Sequence, residues 1–458
     1  MSKDGDVIVV GAGAAGLAAA VELGRSGLSV TILEARDRIG GRMFTQIDSV
    51  CHAPIEFGAE FIHGRPQEIW KLLDQRDVRI DEVDGDSWCV RNRRLVGCDF
   101  FSQIDEILRE LNDGLPDESF VSFLEHCCKS KPGPGLAEAK QRALDYVAGF
   151  NAADPSLVGV HWLVKGMRAE EEIEGDRAFR PEGGYQSLVE IFREQLAEAH
   201  ALVRTGCVVE EITWKAGHAE VGLRDAEKRE RLLAPRVLVT LPLGVLKAAA
   251  GEAGAVRFSP PLSASKLGAL ERLEMGKVIR IVLCFQQRFW ERMRPSAENS
   301  KTLAEMSFLF SHDEWFPTWW TTLPARLPII TGWAPFRCAE RLSGRSHEYV
   351  VERSLRTLSG LLHVEQAELQ KLLEAAYFHD WQSDPFSRGA YSYGKVEADG
   401  AQEALASPLQ DTLFFAGEAT DTSGHNGTVH GAIASGQRAA REILESVRGR
   451  VHGIASNF

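Results

Sequence analysis

Residues 6–42 read DVIVVGAGAAGLAAAVELGRSGLSVTILEARDRIGGR, and the fold follows from how this stretch is punctuated. Asp6-Val7-Ile8-Val9-Val10 is a short β-branched run of the kind that forms a buried parallel strand. Gly11-Ala12-Gly13-Ala14-Ala15-Gly16 follows at once and opens an Ala/Leu-rich helical run to about Leu23. Gly11 permits a tight turn, Gly13 lets a pyrophosphate approach the backbone, and Gly16 lets helix and strand pack closely. The unpaired N–H groups at the start of that helix, from Ala14 and Ala15 onward, face the phosphates. Gly24 to Gly27 reverses the chain into a second strand, Leu28–Leu33, which ends at Glu34, 18 residues beyond Gly16. An acidic side chain there accepts hydrogen bonds from an adenosine ribose. The order strand, glycines, helix, strand, Glu therefore predicts a dinucleotide site.

The continuation Ala35-Arg36-Asp37-Arg38-Ile39-Gly40-Gly41-Arg42 adds a second glycine pair and a guanidinium that can reach the same pyrophosphate. At this point the sequence resembles the flavin-dependent amine oxidase superfamily, with its E-A-R-x-R-x-G-G-R after the first βαβ unit. The resemblance implies FAD rather than NAD. It also implies an α/β fold in which a Rossmann-type FAD-binding domain is interleaved with an α+β substrate domain.

The 458 residues exceed one ordinary domain, so two are expected. With 52 basic against 65 acidic residues the formal charge is −13, which argues against a nucleic-acid surface and suits a cationic substrate. The eight cysteines include no C-x-x-C pair and no regular framework, so reduced thiols and no metal centre are expected. Neither a leader-like N-terminus nor an apolar run of spanning length is present, so a cytoplasmic location without membrane contact is expected.

The resemblance assigns 1–82, 186–269 and 389–450 to the FAD domain, 83–185 and 270–388 to the substrate domain, and 451–458 to a tail. Glu56-Phe57-Gly58-Ala59-Glu60-Phe61-Ile62-His63-Gly64 resembles the family segment that passes under the flavin, with Gly58, Ala59 and Glu60 at the ring. His63 matches the histidine of the G-A-T-W-I-H-G pattern in animal polyamine oxidases, which helps hold the amine. From Val83 to Pro181 amphipathic helices are expected, including 100–111 and 118–129, separated by the breaker-rich 131–135. The acidic run 170–174 could meet a polycation or be a solvated face. The helix 187–199 returns to the cofactor domain, and Val209 matches the family's adenine contact. A strand then runs from Met275 to Phe285. Six large rings follow it, Trp290, Trp315, Phe316, Trp319, Trp320 and Trp333, and core packing or a channel lining is open to each.

The segment from His379 to Tyr393 resembles the W-x-x-D-P-x-x-x-G-x-Y of polyamine oxidases and lysine-specific histone demethylases. Trp381 is expected beside the ring and Tyr391 on its reactive side. Ala390 stands where monoamine oxidases have the cysteine that bonds the flavin, so noncovalent FAD is expected. Leu413–Glu418 followed by a helix after Gly424–Gly431 resembles the C-terminal FAD motif. Gly417 and Glu418 would meet the ribityl or phosphate region, and Gly427, Thr428 and Val429 would bring helix N–H groups to the flavin. The main departure is Arg280, where the family has a lysine that binds a water and assists reaction with dioxygen. Arginine keeps the charge but not the geometry, which leaves a dehydrogenase open beside an oxidase. The implied reaction is oxidation of an amine at the carbon next to nitrogen, with O2 as acceptor and a polyamine-like substrate favoured. An L-amino acid oxidase, a porphyrinogen-type oxidase or a flavin-binding interaction module are the alternatives.

Overall fold

The computed structural model describes residues 4–128, 135–226, 228–295 and 301–455. The breaker-rich stretch 131–134 and the last three residues of the expected tail lie outside them.

The opening stretch folds as read. Strand β1 (Val7–Val10) is buried throughout, helix α1 (Ala14–Arg25) follows Gly13, and strand β2 (Val30–Leu33) lies parallel to β1. These join β3 (Leu202–Arg204), β4 (Arg236–Val239) and β5 (Leu413–Phe415) in one parallel sheet ordered β3-β2-β1-β4-β5. The three later strands come from far along the chain, so the sheet is assembled from both its ends and its middle. A parallel sheet must be covered on both faces, and the continuous apolar strands meet this demand. One side packs α1, the helix Gln186–Glu198 and helix α2 (Val429–Ala455), with Leu17, Val21, Phe192 and Ile433 fully or nearly buried. The other side packs the antiparallel strands Cys207–Lys215 and His218–Asp225.

A second sheet of seven strands is built mainly from Val278–Phe285, Ile329–Pro335, Thr318–Thr321 and Met306–Phe310. Its alternation sorts the aromatics. Trp319 faces the core and Trp320, one residue on, faces the opposite side, as the period of two requires. Trp290 and Phe316 are likewise core residues, and Trp315 packs against that core.

Two expectations are corrected. The region after Val83 does not begin with a helix. Asp86–Arg91 and Arg94–Gly97 form a hairpin that extends the seven-stranded sheet, turning at Asn92-Arg93, both with positive φ. Two such residues make the hairpin turn whose twist matches its strands, and Asn-Arg lacks the usual glycine signal. Helices follow at Phe100–Leu108, Phe120–His126, Leu136–Phe150 and Val160–Glu172. Nor are all cysteines reduced, because the hairpin brings Cys89 and Cys98 together in a disulfide while the other six are free. Sequence spacing carried no sign of this pairing, which depends on the unforeseen hairpin. No helix among the described residues is long and apolar enough to cross a membrane.

Candidate active site and cofactor cradle

A single cavity of 1220 Å³ runs from the glycine turn of β1 to the aromatic face of the seven-stranded sheet. That exceeds the roughly 300–1,000 Å³ of most small-ligand pockets, and its lining has two distinct parts.

The first part is made by chain ends that meet only in the fold. Gly11 has φ +109°, and a Cβ on Gly16 would fall 2.1 Å from the Gly11 carbonyl oxygen, so helix and turn touch as the spacing implied. Gly13 differs. Its φ is an ordinary −78°, and a Cβ there would meet nothing within 4 Å. Neither backbone nor packing calls for glycine at this position, whereas a pyrophosphate approaching the backbone does. Glu34 is buried at the end of β2, its two oxygens accepting from the Ala12 and Arg36 N–H groups at 2.9 Å each. Ala14, Ala15, Ala35, Gly40, Gly41, Val209, Gly417, Thr428 and Val429 line the same space.

Charged side chains fasten these segments together. Glu418 is buried, accepting from Arg42 at 3.0 Å, the Ser392 hydroxyl at 2.6 Å and the Gly427 N–H at 3.0 Å. Its carboxylate is therefore turned to protein rather than left for a ribityl or phosphate group. Arg42 also donates to the Ala390 carbonyl at 2.6 Å. Arg36 is held by Asp384 at 2.8 Å, and its guanidinium lies over the Trp381 and Phe386 rings. Desolvation would raise the Asp384 carboxyl, but hydrogen bonds from His379 and Arg36 outweigh it and hold the group well below the usual range.

The second part is aromatic. Trp381 donates to the Phe57 carbonyl at 2.7 Å, and its ring lies against Gly58. A Cβ on Gly58 would come 1.8 Å from the Arg42 carbonyl oxygen, so only glycine fits that crossing. Tyr391 donates its hydroxyl to the Phe150 carbonyl at 2.7 Å, and burial raises its phenol well above the ordinary value. It presents a ring face, not an acid. Thr428 accepts from Gly431 N–H at 3.0 Å and donates to the His425 carbonyl at 2.7 Å, so its hydroxyl caps α2. His63 stands between Phe61 and Phe150, with burial pushing it down to about 4. Trp320 and Trp333, 5.7 Å between centroids, complete this wall.

Arg280 is almost wholly buried in the floor. One Nη donates to the Gly58 carbonyl at 2.9 Å and meets Glu60 at 3.2 Å, while Nε and the other Nη have no hydrogen-bond partner among the described residues. Lys277, on the opposite parity, is exposed and pairs with Glu340 instead. Glu60 also binds Arg180 at 2.8 Å and the Trp320 indole N–H at 3.1 Å. Sequence reading missed Arg180. It sits on the strand Ala178–Pro181, where Phe179 is buried and its neighbours alternate. It also left Glu170 undecided. That carboxylate is half-buried in the cavity wall, pushed up to about 7 by desolvation, whereas Glu171 and Glu174, which also line the cavity, and Glu172 are exposed.

The sequence profile of the family described as flavin containing amine oxidoreductase matches residues 14–94 and 104–444. The chain belongs to that family. Its cofactor is a flavin, and the dinucleotide cradle makes it FAD. Gly13, whose backbone faces open space in the cradle, is what such a ligand would find. Among similar proteins, lysine-specific histone demethylase 1 homolog 3 of Arabidopsis thaliana is 27% identical over 96% of this chain, which spans 30% of that protein's length. Polyamine oxidase 2 of Arabidopsis thaliana is 26% identical over 96% of this chain and 88% of its own. A structure of wild-type putrescine oxidase bound to putrescine superposes with a TM-score of 0.78 at 20% identity, covering 96% of this chain and 99% of that one. The structural likeness bears on the fold. The chain spans 30–58% of the length of the first six demethylase relatives.

Proposed function

We propose that this chain is an FAD-dependent amine oxidase whose substrate is a diamine or polyamine, oxidised at a carbon next to nitrogen. The observation that carries the reading is the continuity of the cavity: the glycine cradle opens into an aromatic chamber whose wall bears the carboxylate of Glu170. Bound FAD supplies the two-electron acceptor for the substrate's hydride and the means of passing those electrons to dioxygen as hydrogen peroxide.

The protein's part is binding, orientation and exclusion of water. Gly11, Gly13, Ala14, Ala15 and Gly16 would present backbone to the pyrophosphate, with Gly40, Gly41 and Arg42 from the second turn, and Glu34 would hold the ribose. Ala35, Arg36 and Val209 lie at the adenosine end. Gly58, Ala59 and Glu60 would hold the flavin end of the cofactor. Gly417, Glu418, Thr428 and Val429 bring the α2 N-terminus to it, and that positive helix end favours negative charge. Ala390 has no sulfur, so the cofactor is held without a covalent bond. Trp381 and Tyr391 offer ring faces to the reacting nitrogen, and His63, neutral at physiological pH, accepts a hydrogen bond from it. Glu170 takes the distal ammonium. Water hydrolyses the resulting imine outside the aromatic wall.

Arg280 favours a second reading, an amine dehydrogenase. Its cation is fastened to Gly58 and Glu60, and it cannot move a proton as a lysine can. Anaerobic mixing with putrescine, spermidine and simple monoamines tests the main reading, and the diamine or polyamine should bleach the flavin fastest. Absence of bleaching by every amine would reject it. Slow recolouring in air that speeds up in Arg280→Lys would favour the dehydrogenase.

A further inference from the structure

The hairpin of Thr45–Ile47 and Pro54–Glu56 carries at its tip a cluster that the cofactor cradle does not use. Asp48 and Cys51 from the tip meet Cys284 from the strand Val278–Phe285. The two sulfurs are 3.5 Å apart, and with an Asp48 oxygen the three atoms lie within 4.8 Å of one another. Asp48 is held in place by its surroundings. One oxygen accepts from the Val50 and Cys51 N–H groups at 2.9 and 2.6 Å, the other from the Tyr377 hydroxyl. Cys284 is fully buried beside Ala53, Ile55, Val282 and Ile329, while Cys51 is only half-buried and Val50 beside it is exposed, which gives a way in.

We propose that Asp48, Cys51 and Cys284 form a binding site for a soft divalent cation of the zinc and cadmium class. Two sulfurs and one carboxylate oxygen are the donor set that such ions select. A tetrahedral centre with bonds of about 2.3 Å to sulfur holds its sulfurs ~3.8 Å apart, so the observed pair needs to open by only a few tenths of an ångström. The hydrogen bonds from Tyr377 and the tip backbone orient the carboxylate as outer partners orient metal ligands.

Electrostatics point the same way. Among the described residues no basic side chain forms an ion pair with Asp48. On binding, each thiol gives its proton to solvent and its sulfur lone pair bonds the ion, so two protons leave as two positive charges arrive and the net charge is unchanged. A water completes the fourth position. Cys284 shares its strand face with Arg280, four residues away, and Arg280 binds Gly58 just beyond the same hairpin. A bound cation therefore pins the hairpin to this strand at a second point.

The test is a cadmium titration of the reduced, FAD-loaded protein, followed by equilibrium dialysis and by the thiolate-to-cadmium charge-transfer absorption. One equivalent should bind, raise Tm and protect Cys51 from alkylation as read by peptide mass spectrometry. Affinity should fall at least about tenfold in Cys51→Ser, Cys284→Ser and Asp48→Asn, and stay at the wild-type value in Cys338→Ser. Three results overturn the proposal: no tight equivalent in wild type, wild-type affinity in Cys284→Ser, or a Cys51–Cys284 disulfide in the protein as isolated. Cys51 protection needs no substitution, so a variant that fails to fold leaves the question decidable.

Discussion

Glu60→Gln removes one charge from the floor of the cavity while keeping its shape. Glu60 is the carboxylate that faces two arginines, Arg280 at 3.2 Å and Arg180 at 2.8 Å, and it also accepts from the Trp320 indole. Their side chains are 4% and 15% exposed, so water compensates little for the lost partner. Taking one member from a buried ion pair costs about 3–5 kcal/mol, because a desolvated charge is left uncompensated. Arg280 already has Nε and one Nη without a hydrogen-bond partner among the described residues, so it would keep only the Gly58 carbonyl. At ~2 °C per kcal/mol for a large chain, Tm should fall by roughly 6–10 °C in the flavin-free protein. Calorimetry on apoprotein reads this without interference from cofactor binding. The control is Glu194→Gln, whose pair with Arg76 is exposed on both sides and should change stability by less than about 1 kcal/mol. If Glu60→Gln melts within a degree or two of Glu194→Gln, the buried-pair reasoning is refuted.

Gly13→Ser should leave apoprotein stability unchanged or higher, since serine is a good helix N-cap and a Cβ there meets nothing, yet FAD should dissociate faster because the side chain fills the pyrophosphate approach. Unchanged release in a dilution experiment would show that the cradle is assigned wrongly. Because Glu170 titrates at about 7, KM for a diamine should rise as pH falls below 7, and Glu170→Gln should raise KM at pH 8 for diamines but not for monoamines. Equal effects on both substrates in steady-state assays would remove Glu170 from the binding site. Lys266 is fully buried and desolvation pulls it down to about 7, whereas the unfolded chain keeps it near its ordinary 10.5. The unfolded state then binds more protons between pH 7 and 10.5, so this lysine's contribution makes stability rise with pH across that window. The difference between wild type and Lys266→Met in urea midpoints should show that rise, and a pH-independent difference would contradict it.

The sequence by itself determined what is local. The β-branched run, the glycines and Glu34 at 18 residues' distance set backbone conformation and helix phase within a few tens of residues, and β1, α1 and β2 formed accordingly. The strand with Arg280 and the C-terminal strand and helix were readable for the same reason. The tertiary structure decided what depends on distant partners. Glu60, Arg180 and Arg280 lie 100 or more residues apart in the chain, so their shared charge network has no sequence period to announce it. Glu170 looks like its acidic neighbours in a string of letters, and Glu171 and Glu174 reach the same cavity, so only the burial that tertiary packing gives Glu170 separates it from them. Trp319 and Trp320 divide between core and cavity because a strand's faces alternate, but which face is the cavity is set by the sheet's neighbours. The cysteines follow the same logic: a hairpin register made one pair a disulfide, and the crossing of a loop tip over a strand brought Cys51 to Cys284.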